Sequence, residues 1–407
     1  MTAAALIFLL TYLVVGIQQI PRLHLGRPAG AMLGAAAMVA FGVVTFDEAK
    51  NAIDLDTILF LLGMMIVLGY LELSGFFAVL ERRVLGFARS ARSLLVLVIV
   101  SSGVLSALFM NDTICLMLAP VLLRVTKRLG LPAAPYLIAL AVSSNLGSAC
   151  SIVGNPQNAF IAVRSGIALL PFASALWPVS LAGLAVATGL LTFVYRHQIT
   201  GSPLVVPPPH EERPLQIWLL TAALVSGGGM LVALACGVSP AAAAMGAAAA
   251  VVLAGATRPR AALQHVDWSL PLFFGGLFVV MRGIGDAGIS GAIVNAIAGS
   301  ASGAEAAATA RLAAGVTVLS QLVSNVPAVM LFVPTLQAAP AETAHGLWLA
   351  LAAFSTLAGN LTIIGSVANV IVFEAARREG VEVGFFEYLR IGLPLTVLSL
   401  LGAWIWV

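Results

Sequence analysis

Four short polar segments interrupt long apolar stretches of the chain, at residues 111–113, 143–147 with 154–156, 324–327, and 359–362 with 365. Each segment places Asn, Ser, Thr or Gly among helix formers, and two contain Pro, which removes a backbone hydrogen bond from a helix. A helix that breaks in apolar surroundings leaves carbonyl groups that can bind a cation. Its new N-terminus offers N–H groups and a positive dipole end to an anion or a hydroxylated solute. These segments therefore predict the binding of a small solute or an ion.

The candidate binding residues lie in these segments or one turn beyond them. They are Asn111, Asp112, Thr113, Ser144, Asn145, Gly154, Asn155, Asn158, Ser324, Asn325, Asn360, Thr362, Gly365 and Asn369. The alternative for the amide side chains is that they only connect helices. We expect no catalytic residue, metal centre or cofactor, because the three Cys and five His form neither a CxxC nor an HExxH pattern.

Asp112 is the candidate with the clearest chemical role. Carboxylates inside apolar stretches are costly and usually functional, so we expect Asp112 to carry a proton or bind a cation. The alternative is that Asp112 caps a helix beginning at Thr113. No arginine is expected in the core of the site.

The elements that hold these residues must be membrane helices. Of the 407 residues, 60% are apolar and only 9% are charged, whereas soluble domains carry about 25% charged residues. This composition excludes a soluble enzyme, a nucleic-acid-binding protein and a disordered chain. It predicts an all-α polytopic membrane protein that contacts the lipid bilayer.

Ten apolar stretches are predicted to span the membrane. They cover residues 3–20, 29–45, 55–80, 131–153, 171–194, 215–235, 238–256, 269–297, 347–373 and 386–407. Two further stretches, 94–123 and 310–338, are interrupted midway. Their returning arms, 113–123 and 327–337, would be about 17 Å long against a hydrocarbon core of about 30 Å. We therefore expect two re-entrant hairpins.

The distribution of positive charges predicts the orientation in the membrane. With the N-terminus outside, the inner loops carry sixteen Lys and Arg residues, whereas the outer side has only Lys50, Arg164 and Arg311. Positive charges favour the cytoplasmic side, so both termini should be periplasmic in a bacterial-type inner membrane. Arg282 falls inside a span, four residues before Asp286, and we expect these two to form an ion pair.

The two halves of the chain resemble each other. The pattern S-x4-N-x8-P begins at Ser106 and again at Ser320, and [ST]-I-[VI]-G-x3-N begins at Ser151 and Thr362. An Asn precedes each copy of the second pattern, which pairs Asn145 with Asn360. Five spans and one hairpin per half would invert the second copy, as in secondary transporters. We expect a first repeat at 1–199, a cytoplasmic linker at 200–214 and a second repeat at 215–407, with the broken helices at the bilayer midplane.

The polar segments resemble those of the ion transporter superfamily, which includes arsenite permeases, citrate and dicarboxylate carriers, D-type sodium/proton antiporters and the melanosomal P protein. The similar stretches are FMNDTICLMLAP, SNLGSACSIVGNPQN, SNVPAVMLFVP and GNLTIIGSVANV. The resemblance implies that substrate and coupling ions lie between Asn111, Ser144, Asn145, Asn158, Asn325, Asn360, Thr362 and Asn369. Dicarboxylate carriers have Ser-Asn-Thr in both halves, whereas this chain has Leu146 and Leu361 in place of Thr, which disfavours a dicarboxylate carrier with two sodium sites.

These observations leave three transport functions open. We expect proton-coupled efflux of arsenite or antimonite. The alternatives are a sodium- or proton-coupled citrate or dicarboxylate symporter, and a sodium/proton antiporter. The partners would be a small-molecule or ion substrate, a second copy in a homodimer and, for an arsenite exporter, a soluble ATPase.

Overall fold

In the computed structural model, the described residues are 2–17, 26–199, 215–255, 259–264, 266–298 and 305–407. Within these ranges the secondary structure is helical, with no β-strand. The all-α prediction is therefore confirmed for the described residues. The predicted linker at 200–214 lies outside them.

The helices up to residue 199 form the first half of the fold. They are α1 (Thr2–Ile17), α2 (Arg27–Ala40), α3 (Phe46–Ala52), α4 (Leu55–Leu73), α5 (Phe76–Phe87), α6 (Ala91–Leu108), α7 (Asn111–Arg128), α8 (Ala133–Ser148), α9 (Pro156–Ser165) and α10 (Leu169–Val194).

The helices after residue 214 form the second half. They are α11 (Ile217–Ala235), α12 (Pro240–Gly255), α13 (Pro259–Leu263), α14 (Ser269–Asp286), α15 (Ile289–Ala298), α16 (Glu305–Val323), α17 (Asn325–Gln337), α18 (Ala341–Ala358), α19 (Val367–Arg378) and α20 (Phe385–Trp406). A short 3₁₀ helix, Ile363–Gly365, precedes α19.

The helices of the two halves pack in matching pairs. Helix α4 packs on α12 as α14 packs on α2, and α7 packs on α19 as α17 packs on α9. Glycine makes the first two of these contacts close. A Cβ atom on Gly63 would lie 2.5 Å from the Ala244 carbonyl carbon, and one on Gly276 would lie 2.6 Å from that of Ala31. Glycine at these positions allows the helix backbones to touch.

Six helices of the described residues are long and apolar enough to cross a membrane, namely α4, α6, α10, α11, α14 and α20. Two predicted spans, 55–80 and 269–297, are each divided into two helices. Gly75 and Gly288 adopt positive φ values of 86° and 72° at the breaks, a conformation that glycine reaches without steric cost. The number of spans and their sidedness stay predictions.

The returning arms of the predicted hairpins are shorter than the helices in the structure. Helix α7 extends over 18 residues from Asn111, or about 27 Å, because Pro120 lies within the helix without ending it. The prediction of an 11-residue arm was wrong, and length alone does not stop α7 from crossing. Helix α17 has 13 residues, about 20 Å. A re-entrant path stays a prediction for both.

Candidate functional site

Four helices begin at one small cavity in the centre of the fold. The first residues of α7, α9, α17 and α19 line it together with Asp112 and Gln157, and Phe273 and Phe274 of α14 cover one side. The cavity volume is about 20 Å³, close to the space that one water molecule needs. Helix N-termini present unpaired N–H groups and partial positive charge, so the cavity favours polar or anionic groups, and in this conformation it has room for about one water molecule.

Asn145, near the end of α8, connects the two halves beside this cavity. Its Oδ1 accepts hydrogen bonds from Asn111 Nδ2 at 2.9 Å and from Ser366 Oγ at 3.0 Å. Its Nδ2 donates to Asn360 Oδ1 at 2.9 Å and to Asn369 Oδ1 at 3.1 Å. Every one of these side chains is buried. The amide of Asn145 is thus fully used by protein groups.

Thr356, near the end of α18, occupies the matching position in the other half. Its Oγ1 accepts from Asn155 Nδ2 at 3.2 Å and donates to Asn158 Oδ1 at 3.4 Å. These bonds repeat those that Asn145 makes to Ser366 and Asn369.

The structural counterpart of Asn145 is therefore Thr356, and the predicted pairing of Asn145 with Asn360 was wrong. The sequence contains the signal that was missed: Ser144-Asn145-Leu146 aligns without a gap to Ser355-Thr356-Leu357, and the same offset aligns Asn158 with Asn369.

Asn158 and Asn369 bind the backbone at the two helix breaks, one after α8 and the other after α18. Asn158 Nδ2 donates to the carbonyl oxygens of Ser148 at 3.2 Å and Ser151 at 3.1 Å. Asn369 Nδ2 donates to those of Gly359 at 2.8 Å and Thr362 at 3.1 Å. Backbone groups left unpaired by a helix break are costly in an apolar interior. Both Asn residues therefore pair with the backbone carbonyl groups that the helix breaks beside the cavity leave free.

The remaining predicted residues of the second half also support the breaks. Thr362 Oγ1 donates to Gln321 Oε1 at 2.7 Å. The Asn325 amide, in the orientation that satisfies its neighbours, donates to the carbonyl of Gly365 at 3.0 Å. Ser324 lines the cavity and has a φ of 74°, which is strained for a residue with a side chain.

In the first half, one further predicted residue supports a helix break, whereas two others lie outside the amide network or the cavity lining. Gly154 accepts the Asn111 backbone N–H at 2.8 Å, which attaches the start of α7 to the break after α8. Ser144 accepts a hydrogen bond from the Cys115 thiol at 3.1 Å, away from the amide network. Thr113 is half-buried and is not among the residues that line the cavity.

Asp112 lies at the cavity, in the first turn of α7. The helix begins at Asn111 and its N-cap is Met110, so the alternative in which Asp112 caps a helix starting at Thr113 was wrong. The Ala368 backbone N–H, in the first turn of α19, lies close to the Asp112 carboxylate. Asp112 therefore provides the cavity with a carboxylate among helix N-termini.

Arg27 contradicts the expectation of a site without arginine. Its guanidinium interacts electrostatically with the Asp112 carboxylate, and its Nε and Nη1 atoms are buried without a hydrogen-bond partner. Sequence reasoning assigned Arg27 to an inner loop because it precedes the first apolar residues of α2. Only the packing of α2 on α14 brings it to the site.

A family model described as "Citrate transporter" matches residues 7–353 of this chain. A relative in Oryza sativa subsp. japonica, "Silicon efflux transporter LSI3", is 32% identical, with 93% of this chain and 91% of the relative covered. "Putative transporter arsB" of Dictyostelium discoideum is 24% identical over 93% of this chain and 86% of its own length. The solved YdaH transporter of Alcanivorax borkumensis is similar with a TM-score of 0.49 and 16% identity, covering 99% of this chain and 95% of that one.

Proposed function

Because the chain belongs to the citrate transporter family, and is thus a membrane transporter and not an enzyme, we propose that it exports a small uncharged inorganic hydroxy acid in exchange for protons. Arsenious and antimonious acids are the leading substrates, and silicic acid is a third of the same chemistry. The similarity to a silicon efflux transporter and to a putative arsB transporter supports this substrate class.

The observation that carries the proposal is the pairing of four helix N-termini with one carboxylate at the same cavity. The N-termini can donate hydrogen bonds to a solute, and an ionised carboxylate can only accept them. An uncharged hydroxy acid both accepts and donates through its hydroxyl groups, so it satisfies both sides of the cavity.

The same geometry suggests how a proton drives transport. When Asp112 is ionised, it accepts a hydrogen bond from a substrate hydroxyl. When Asp112 takes up a proton, it loses an acceptor oxygen and the substrate is bound more weakly. Substrate and proton then compete for one site, which is the requirement for exchange. The hydrogen bonds between the two halves at Asn145 and Thr356 keep this site intact while the surrounding helices move.

Citrate or dicarboxylate symport is the second candidate, and the family description favours it. Helix N-termini suit carboxylates, and a protonated Asp112 would admit an anion. In that case Asp112 and substrate would bind together, with a proton or sodium ion moving in the same direction as the anion.

The deciding experiment measures substrate accumulation in everted membrane vesicles with an acid interior. We expect the wild-type protein to accumulate arsenite and silicic acid, and Asp112→Asn to lose accumulation against a gradient because it cannot bind a proton. The matched control is Asp47→Asn, which alters an exposed carboxylate and should accumulate substrate like the wild type.

Two results would contradict the proposal. One is wild-type protein, folded and inserted, that accumulates citrate but neither hydroxy acid. The other is uphill accumulation of arsenite by Asp112→Asn at the wild-type level. Replacing the proton gradient with a sodium gradient separates the two coupling ions in the same vesicles.

A further inference from the structure

A second, larger cavity of about 880 Å³ lies next to the central one. Gly26, Arg27 and Pro28 at the start of α2 form one wall, and residues of α19 form another. Val367, the first residue of α19, lines both cavities. The two cavities are therefore neighbours at the start of α19.

Arg27 lines the large cavity and interacts electrostatically with Asp112, which lines the central one. Helices α2 and α14 run in the same direction, since Gly276 contacts Ala31 and Gly283 contacts Met38. Arg27, one turn before Ala31, is accordingly near the start of α14, where Phe273 and Phe274 cover the central cavity.

The Arg27 guanidinium has donors that the protein does not use. Its Nε and Nη1 are buried without a partner, and an arginine side chain stays charged in a protein. The ion pairs among the described residues do not include one between Arg27 and Asp112. A buried donor without a partner costs about 1–3 kcal/mol, and more when it is charged. A group that enters from the cavity can remove this cost.

The other charged groups of the large cavity do not supply that partner. Glu374 is bound to Arg378 at 3.0 Å, and the ion pairs among the described residues include none between Arg27 and Glu382, which also lines the cavity. Asp267 acts on Asp112 as a second negative charge, but its Oδ1 already accepts from the Ser269 backbone and hydroxyl.

We propose that Arg27 is a substrate-binding residue, which donates from its guanidinium to one oxygen of a hydroxy acid while Asp112 accepts from another hydroxyl of the same molecule. This inference rests on the proposed function and deepens it. It states that Arg27 as donor and Asp112 as acceptor together recognise the substrate class. A carboxylate anion can satisfy Arg27 but not an ionised Asp112, whereas an uncharged polyhydroxy acid satisfies both.

The test compares Arg27→Gln, Arg27→Lys and wild type in reconstituted vesicles, with arsenite and silicic acid as the probes. We expect Arg27→Gln to raise the KM for both acids at least tenfold, and Arg27→Lys to raise it less because it keeps the charge but not the two-donor geometry. Arg378→Gln is the control, because that guanidinium is exposed and bound to Glu374. Its KM should stay within twofold of wild type.

A role that is only electrostatic gives a different result. If Arg27 acts solely by setting the protonation of Asp112, a change of pH restores the wild-type KM in Arg27→Gln. If Arg27 binds the substrate, the KM stays raised at every pH tested. Restoration by pH, or an unchanged KM, overturns the inference.

The same experiment distinguishes a failure of the proposed function from a failure of the proposed role of Arg27. Wild-type vesicles that accumulate neither acid refute the function itself. Wild-type accumulation with an unaffected Arg27→Gln refutes only the role of Arg27. If Arg27→Gln does not fold, the KM of the charge-conserving Arg27→Lys decides, and an unchanged value there also overturns the inference.

Discussion

At the scale of single residues, the site has two kinds of polar group. Asn145, Asn158, Thr356 and Asn369 bind one another and the backbone of the breaks, and all are buried. Asp112 and Arg27, in contrast, retain capacity for a ligand. Since a buried polar group is stable only when it is paired, the first group maintains the site and the second is suited to the substrate.

This division predicts how substitutions in the network act. Asn145→Ala leaves four hydrogen-bonding groups of other residues without their partner, each at a cost of about 1–3 kcal/mol where no water can replace the amide. We expect the Tm of the detergent-solubilised protein to fall by several degrees. Thr356→Val, which removes a hydroxyl but keeps the shape, should lower the Tm less.

The control for these variants is Ser174→Ala, which removes an exposed hydroxyl bound only to the Pro171 carbonyl. Its Tm should equal that of wild type. A Tm for Asn145→Ala within a degree of the control would show that the network does not stabilise the fold.

At the scale of elements, an ion pair connects two helices of the first half. Arg164, at the end of α9, binds Asp54, at the start of α4, at 2.8 Å, and the Asp54 side chain is only 7% exposed. At the offset of 211 that aligns Asn158 with Asn369, the residue of α19 that matches Arg164 is Ala375, so this ion pair has no equivalent in the second half. Helix α4 accordingly packs on α9, whereas the large cavity lies beside α19.

In a transporter that works by alternating access, the helices around the site rearrange when it opens to the other side. We expect Asp54–Arg164 to break in the alternate conformation. Arg164→Gln should therefore favour that conformation. A cysteine at Asn51, which lines the cavity of about 320 Å³ beside Arg164, should react faster with an impermeant maleimide in Arg164→Gln than in its parent, in a background without the native cysteines.

Lys50→Gln provides the comparison, because it removes an exposed ion pair near the same cavity. In this pair, Lys50 Nζ lies 4.0 Å from Asp47 Oδ1. It should leave the labelling rate at Asn51→Cys unchanged. Equal rates in Arg164→Gln and Lys50→Gln would show that the Asp54–Arg164 pair does not control access. Arg282, confirmed as paired with Asp286 at 2.7 Å, lines this cavity too.

At the scale of the whole molecule, the charges and the cavities suggest one arrangement in the membrane. Arg282 and Asp286, near the end of α14, line the smaller cavity, and Arg27 lines the larger one near the start of the parallel helix α2. The two cavities are thus at opposite ends of this helix pair. The charge distribution along the sequence predicts that the larger cavity faces the cytoplasm, which is the side that the proposed export requires.

Labelling of single cysteines tests this orientation. Asp47 and Glu379 are both exposed and are predicted on opposite sides. In intact cells, an impermeant maleimide should label Asp47→Cys and leave Glu379→Cys unlabelled until the membrane is permeabilised. The reverse pattern would invert the assignment, and labelling of both before permeabilisation would contradict any fixed orientation of these loops.

The sequence by itself determined the class of the protein and the positions of its breaks. Composition excludes a soluble fold regardless of how the chain is arranged, and Asn, Ser, Gly and Pro interrupt an apolar helix through local backbone chemistry. For this reason Asn111, Asp112, Asn155 and Asn325 were recognised as candidates, and each lies at the cavity or in its hydrogen-bond network.

The tertiary structure alone decided which of these residues meet. Asn145 binds Asn360 and Asn369, which are more than 200 residues away along the chain, and these contacts depend on how α8 packs on α18 and α19. Arg27 lies near enough to interact electrostatically with Asp112 because glycine at position 276 lets α2 pack directly on α14. Such contacts depend on the path of whole helices, which local sequence pattern does not specify.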